Sequence, residues 1–343
     1  HLTLQYEFKG WEKIFIKTDF GEKVEAIAPV ILSASRVTDI PAFHSDWFIN
    51  RLNKGYIKWI NPFNKRPQYV SFKNTRVIVF WSKNPKNMIK YLNIIDAKNI
   101  NYYFTYTIND YESEKLEPNI PPLEERINTF IKLSNLIGKE QVIWRFDPLI
   151  LTDTITLDKL LEKIKNIGNA LYKYTNKLVI SFADINIYKK VQHNLQRANV
   201  KYKGFDKNDM IYIAENLQEL NKNWHLSITT CAEDINLNKY SIEKNKCIDD
   251  NLMVKCFSSD KTLMKFLGKE NTEINLFTNN DYNKKIDLKD PGQRDFCGCI
   301  VSKDIGQYNT CMHLCAYCYA NTSQNLVRRN FEKLSKTGES IYI

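Results

Sequence analysis

The sequence predicts an α/β protein on a parallel sheet, a TIM-barrel-like (β/α) barrel or partial barrel of about six strands, with a C-terminal cysteine-rich metal module. Three observations lead there. Apolar runs of strand length alternate with amphipathic stretches of helical length, the signature of βαβ units with right-handed crossovers. Polar residues gather at the C-terminal ends of those runs, where such folds carry their chemistry. Five of the eight cysteines fall in the last fifty residues. The expected organisation is an N-terminal hairpin extension over 1–29 and a barrel over 30–235. A linker or excursion follows over 236–290, then a cysteine module over 291–343 that packs on the barrel.

Each element has its own warrant. Ile14-Phe-Ile, Gly21-Glu, Val24 and Ala26 predict a hairpin closed by Pro29. Val30 to Ser35 is a buried-type strand, and Trp47 to Leu52 a helix. Tyr56 to Ile60 and Gln68 to Phe72 flank an Asn-Pro-Phe-Asn turn and predict an inserted hairpin. The second core strand is Val77 to Trp81, with a helix from Met88 to Ile95. Tyr102 to Ile108 is the third strand. Pro121-Pro opens a helix running to Ile137, proline being tolerated in a first turn. Val142 to Pro148 gives the fourth strand and Leu157 to Tyr174 a helix. Leu178 to Asp184 gives the fifth, followed by helices over Ile187–Ala198 and Met210–Asn221. His225 to Thr230 is the sixth. Beyond it the periodicity weakens in a Lys- and Asn-rich stretch, with one short helix expected near Lys261–Leu267 and a last one over Ser323–Leu334.

Strand ends supply the candidate site residues: Ser35, Arg36 and Asp39; Lys83 and Asn84; Arg145 and Asp147; Asp184; Cys231 and Glu233. A polar strand end taken singly is ordinary, because it reaches water. Arg145 and Asp147 carry more weight, since residues two apart on a strand point into the same mouth. The plain alternative for that pair is a structural ion pair across the rim.

The formal net charge of +10 and a pI near 9.0 allow an anionic partner such as nucleic acid. Lysines spread over a solvated surface explain the same charge. No apolar run is long enough to span a membrane, so no membrane association is expected. With no export signal and eight cysteines, metal ligation in a reducing cytoplasm is favoured over a disulfide framework.

The chemistry concentrates in Cys311-Met-His-Leu-Cys315-Ala-Tyr-Cys318. Three cysteines spaced C-x3-C-x2-C hold three corners of a cubic iron–sulfur cluster and leave the fourth iron open. A zinc site is the rival, drawing on the same three cysteines with His313 or Cys299. Cys297-Gly-Cys299, with Cys231 and Cys247, makes a further set of four thiols for a second iron–sulfur cluster or a zinc ion. The plain alternative leaves Cys231 and Cys247 as small core residues. Cys256, His44, His193 and His225 are expected to be structural.

The C-x3-C-x2-C motif, with Tyr317 before its third cysteine, resembles the radical S-adenosylmethionine (SAM) signature. The resemblance implies a [4Fe–4S] cluster on Cys311, Cys315 and Cys318, SAM on the open iron, Tyr317 against the adenine, and a 5′-deoxyadenosyl radical as the oxidant. It also implies an electron donor such as ferredoxin or flavodoxin. The chain is similar as well to an uncharacterised bacterial family, a domain of unknown function with radical-SAM-like cysteines at its C-terminus. That similarity rests on Ser33–Pro41, Phe80–Pro85, Trp144–Pro148 and Cys297–Gly306 through Asn321, covering about 30 to 330.

Two departures stand out. The cysteine loop follows six strands instead of the first one, and no Gly-Gly-Glu segment is present. The expected resolution of the first is a circular rearrangement, in which the region of Ile300-Val301 supplies a strand beside Val30–Ser35. Within this reading Arg145, Asp147 and Lys83 are the candidate catalytic groups. Tyr317, Ser35, Arg36, Asp184 and Glu233 are the candidate cofactor contacts. The expected function is a radical SAM enzyme, with nucleic acid as the candidate substrate: lesion repair like that of spore photoproduct lyase, or RNA modification. The rivals are an iron–sulfur electron carrier and a barrel hydrolase with a structural zinc module, working through Asp147, Asp184 and Glu233.

Overall fold

The computed structural model describes residues 6–186, 188–269, 286–294 and 296–341. Its centre is an eight-stranded sheet in which every pairing is parallel. In chain order the strands are β1 (Ile31–Ala34), β2 (Val77–Ser82), β3 (Asn101–Thr107), β4 (Val142–Leu149), β5 (Lys177–Phe182), β6 (Ser227–Thr230), β7 (Ile242–Lys244) and β8 (Lys303–Asp304). Across the sheet they run β7-β6-β5-β4-β3-β2-β1-β8. All six expected core strands are present. The expectation of a barrel is corrected in one respect: β7 and β8 are edges that do not pair with each other, so the sheet is open.

The alternation of side chains divides the apolar core in two. Ile78, Phe80, Tyr102, Phe104, Trp144 and Ile180 lie with helices α1 (Ser45–Lys54), α2 (Leu123–Ile137), α3 (Leu157–Leu171) and α5 (Lys207–Trp224). Local chemistry sets these helices' limits. Gly55 ends α1 at a φ of 87°, Thr156 caps α3, and Asp206 opens α5 in a capping box with Asp209. Between them come α4 (Lys189–Arg197) and, after β8, α6 (Gln324–Glu332).

Ile31, Val77, Val79, Tyr103, Ile143 and Val179 form the second cluster, with Ile248, Met253, Phe257, Leu263 and Met264. These last belong to the stretch expected as a linker. It holds β7 and two short helices, Asp250–Phe257 and Lys261–Phe266, capped by Asp249 and Asp260. Few apolar residues occur there, but Ile248, Met253, Phe257, Leu263 and Met264 are buried, so periodicity is weak although those positions belong to the core. The rest of that stretch, 270–285, lies outside the described residues.

The two expected hairpins are present as Glu12–Lys17 with Lys23–Ala28, and Tyr56–Ile60 with Pro67–Ser71. They join through a parallel pairing into one four-stranded sheet. The helix expected over Met88–Ile95 is two short ones, Lys86–Ile89 and Leu92–Ala97.

The predicted return of the C-terminal segment to the first strand is found two residues beyond Val301. β8 pairs with β1, setting Lys303 opposite Leu32 and Asp304 opposite Ser33. The Asp304 carboxylate accepts from Ser33 Oγ at 2.8 Å, Ser35 Oγ at 2.6 Å, and the backbone N–H groups of Arg36 at 2.8 Å and Gly306 at 2.9 Å. Gly306 touches Ser35 so closely that a Cβ there would lie 1.9 Å from Ser35 Oγ and 2.6 Å from its Cβ. Gly306→Ala is therefore expected to destabilise the fold by about 1–3 kcal/mol, as overpacking does, and to expose the segment after β8 to limited proteolysis. Unchanged urea unfolding and an unchanged cleavage pattern would contradict this clip.

Candidate functional site

The C-terminal ends of β1 to β6 open onto one mouth. A loop carrying the three cysteines lies across its β1–β3 side. Contacts along the whole loop hold it there. Thr310 Oγ1 donates to Thr38 Oγ1 at 2.9 Å, and the Thr310 carbonyl meets His44 Nε2 at 3.0 Å. His313 Nε2 bonds Asp39 Oδ2 at 2.7 Å, and Ala316 N donates to the Leu116 carbonyl at 2.8 Å. Asn119 reaches the Met312 carbonyl, and Asn194 of α4 the Cys318 carbonyl. Asp39 is itself fixed by Ser82 Oγ and the N–H groups of Ala42 and Lys83. His44 is structural, as expected: burial lowers its pKa to about 4. His313 is also buried, and its Nδ1 has no partner.

Burial raises the pKa of each of Cys311, Cys315 and Cys318. Negative charge on neighbouring thiols adds to the rise at Cys311 and Cys315. Backbone N–H groups offset part of the rise, that of His313 at Cys311 and those of Ala320 and Asn321 at Cys318. Backbone donors aimed at sulfur are what thiolate ligands take up in metal loops. Behind the loop, Leu314 and Cys315 border a cavity of about 510 Å³ that extends to Asn194 and Arg197.

Next to Cys315 sits a buried polar group. Lys83 Nζ donates to Glu117 Oε1 at 3.1 Å and to Tyr317 Oη at 2.7 Å; the Tyr317 hydroxyl and Asn109 Nδ2 also donate to Glu117. Burial opposes both charges, but the pairing prevails, so the Lys83 pKa is raised and that of Glu117 lowered. Tyr317, expected against an adenine, thus has its hydroxyl engaged by Lys83, Glu117 and Asn109. Lys83, expected as a free catalytic group, is half of an ion pair. Glu117 and Asn109 were not legible as site residues, because the acidic loop around Glu117 has no periodicity and its partner is 34 positions away.

The other strand ends present a second set of thiols. Cys231 follows β6 and Cys247 follows β7, with their sulfurs 3.5 Å apart. Arg145 Nη1 and Asn245 Nδ2 each donate to Cys247 Sγ at 3.0 Å. Cys299 Sγ accepts the N–H groups of Cys247 and Ile248, both at 3.3 Å, and lies next to Cys297. Hydrogen bonds from Cys231 and Cys299, then the charges of Arg145 and Arg36, hold the Cys247 thiol well below its ordinary pKa. Among the described residues, no group of three or more His, Cys, Asp or Glu side chains is arranged to hold a metal ion.

Arg145 and Asp147 form the ion pair across the rim, through Arg145 Nε at 3.2 Å and Nη2, while Ser181 Oγ donates to the other Asp147 oxygen. Trp81, not anticipated as a site residue, lies between the guanidinium groups of Arg36 and Arg145, at 5.0 and 5.3 Å. Ser35, expected as a cofactor contact, is part of the Asp304 clip instead. Glu233 accepts the Phe182 N–H at 2.9 Å, and burial raises its carboxyl to about 7. Asp184 is exposed at the rim.

The family model of a domain of unknown function, DUF1848, matches residues 31–320, and the chain belongs to that family. No curated protein and no solved structure matches it. Membership bears out the resemblance to an uncharacterised family; it says nothing of the radical SAM signature and carries no reaction with it. No helix among the described residues is long and apolar enough to cross a membrane.

The buried Lys83–Glu117 pair yields a direct expectation. Lys83→Met leaves Glu117 charged and unpaired, which costs about 3–5 kcal/mol when a buried pair loses one partner. Lys83→Met with Glu117→Gln is expected to recover most of that loss in urea unfolding. A double variant no more stable than Lys83→Met would place the loss elsewhere.

Proposed function

We propose that the chain is a radical SAM enzyme in which Cys311, Cys315 and Cys318 hold a [4Fe–4S] cluster and leave one iron for SAM. The observation that carries this is the seat of the three-cysteine loop, held across the C-terminal ends of β1–β3 by Thr38, Asp39, His44 and Leu116. The donor set suits the group. Three buried thiols whose ionisation is opposed by burial become favourable thiolates once a cationic metal core faces them. The chemistry supplied by such a cluster with SAM is reductive cleavage of a C–S bond to a 5′-deoxyadenosyl radical.

The chain's own residues give the rest. Asp39, held by three donors, fixes His313 and with it the middle of the loop. Lys83 and Tyr317 present a cation and a ring beside Cys315, the Lys83 ammonium lying 5.3 Å from the Tyr317 ring centre. Arg145 and Trp81 line the mouth on the other side. In a hydrolase, Asp147 would be the base, yet both of its carboxylate oxygens are engaged.

The rim favours nucleic acid as the substrate class. Phe296 and Tyr319 are 43% and 42% exposed, unusual for aromatic rings beside a site. Lys244 lies 4.5 Å from the Phe296 ring, Tyr188 is 6.1 Å from Tyr319, and Arg294 is 5.4 Å from Tyr188. Aromatic faces next to cations suit stacked bases and their phosphates. A cytoplasmic protein with a ferredoxin- or flavodoxin-type donor completes the reading.

Anaerobic reconstitution with iron and sulfide is expected to give broad absorption at about 400 nm that dithionite bleaches. Reductant and SAM should then release 5′-deoxyadenosine, and Cys315→Ala should abolish it. A cluster without 5′-deoxyadenosine indicates an electron carrier; zinc retained in place of iron indicates a structural module. Either outcome overturns the proposal. Tyr319→Ala is expected to weaken binding of a single-stranded oligonucleotide by about 1–3 kcal/mol, the range for a lost stacking contact. Filter binding at several salt concentrations reads it, and affinity unaffected by both salt and the substitution would remove nucleic acid from the reading.

A further inference from the structure

We propose that Cys231, Cys247, Cys297 and Cys299, no three of which are placed as ligands to one point among the described residues, draw together on metal binding into a second, closed four-thiolate site that joins the two edges of the sheet. The proposal is independent of the radical SAM reading, because none of the three loop cysteines takes part.

Position argues first. The sheet ends at β7 on one side and β8 on the other, and no ladder connects them. The segment just after β7 meets the segment just before β8. Ile300 N donates to the Ile248 carbonyl at 3.2 Å, and Cys247 N and Ile248 N both donate to Cys299 Sγ. Two of the thiols come from the β6–β7 edge and two from the segment leading into β8. A metal held by all four would link the edges where backbone pairing does not.

Chemistry argues second. Ligand sulfurs about 2.3 Å from a tetrahedral ion stand roughly 3.8 Å from one another. The Cys231 and Cys247 sulfurs are 3.5 Å apart. Cys247 receives Arg145 Nη1 and Asn245 Nδ2, and Cys299 receives two backbone N–H groups, so two of the sulfurs already carry the outer donors that tune thiolate ligands. Arg36 faces the same set, and its buried Nη2 has no hydrogen-bond partner among the described residues.

Close approach argues third. Gly298 lies against the segment after β7, where a Cβ would be 2.8 Å from Lys246 Cγ and 3.4 Å from the Asn245 carbonyl oxygen. Only glycine lets the Cys-x-Cys turn come this near without displacing its neighbour. Four protein ligands close the coordination shell, which marks a structural or electron-storing centre, not a substrate-binding one. Zinc and a four-iron cluster share this ligand chemistry, and the experiment separates them.

The test uses the full chain carrying Cys311→Ala, Cys315→Ala and Cys318→Ala, which removes the first site. Reconstituted separately with zinc and with iron and sulfide, it is expected to retain one metal centre per chain. Zinc retention or a dithionite-bleached chromophore decides which. Cys297→Ser with Cys299→Ser should lose the bound metal. To separate metal loss from misfolding of that variant, the wild-type chain is also alkylated with and without metal and mapped by mass spectrometry. Cys231, Cys247, Cys297 and Cys299 are expected to lose reactivity together, while Cys256 keeps its own. Absence of bound metal in the triple variant, or protection of fewer than three of the four thiols, overturns the proposal.

Discussion

The structure depends on one carboxylate. Asp304 lies on a two-residue strand, too short to hold itself in a sheet through its ladder alone. Three donors from Ser33, Ser35 and Arg36 anchor it to the end of β1, while the Gly306 N–H binds it within its own turn. Bringing those two points together closes a loop of most of the chain, an entropic cost on the order of 5 kcal/mol. Hydrogen bonds to a charged acceptor contribute about 1.5–3 kcal/mol each and are able to offset it. Seven residues beyond Asp304 the cysteine loop begins, so this anchor decides where its sulfurs lie.

From that anchor a row of polar contacts crosses the mouth. Cys247 meets Arg145, which pairs with Asp147. The Asp147 carbonyl takes Asn109 Nδ2, and Asn109 also reaches Glu117 and the Tyr317 hydroxyl, where Lys83 completes the row. The two thiol sets are thus the ends of one buried network. A charge placed at either end changes the field along it, since a buried network is screened less than one in water. This is why the raised pKa of Lys83 has Cys315 among its causes, and that of Arg145 has both Cys247 and Cys231.

What was legible in the sequence follows from range. The six longer core strands are continuous apolar runs between turn signals, and local pattern suffices for them. β7 and β8 have three and two residues and exist only because longer strands offer an edge, so no local signal marks them. The cysteine spacings were legible because C-x3-C-x2-C and C-x-C are local patterns. The four-thiol neighbourhood was foreseen by cysteine number and strand-end position. Glu117, Trp81 and Asp304 were not, since each derives its role from a partner far along the chain. Ser35 and Lys83 were read as free mouth groups. Their partners, Asp304 and Glu117, occupy them, and that is visible only in three dimensions.

The open sheet gives those thiols their place. A closed parallel barrel satisfies every edge through its ladder, and its mouth is then shaped by loops alone. Here both edge strands are very short, which leaves little unpaired backbone exposed. The gap between them is crossed by side chains and turns instead. Tyr103, standing inside the sheet, donates to the Cys247 carbonyl and accepts the Asp249 N–H, so the segment that crosses the gap is tied to the sheet's centre as well as to its rim. Cys231 is fixed in turn by its N–H to the Ile180 carbonyl on β5. Both sides of the gap contribute sulfur, Cys231 and Cys247 on one and Cys297 and Cys299 on the other. The residues that shape the mouth are therefore also those that hold its two edges together, and the row through Arg145 and Asn109 runs between the two cysteine sets.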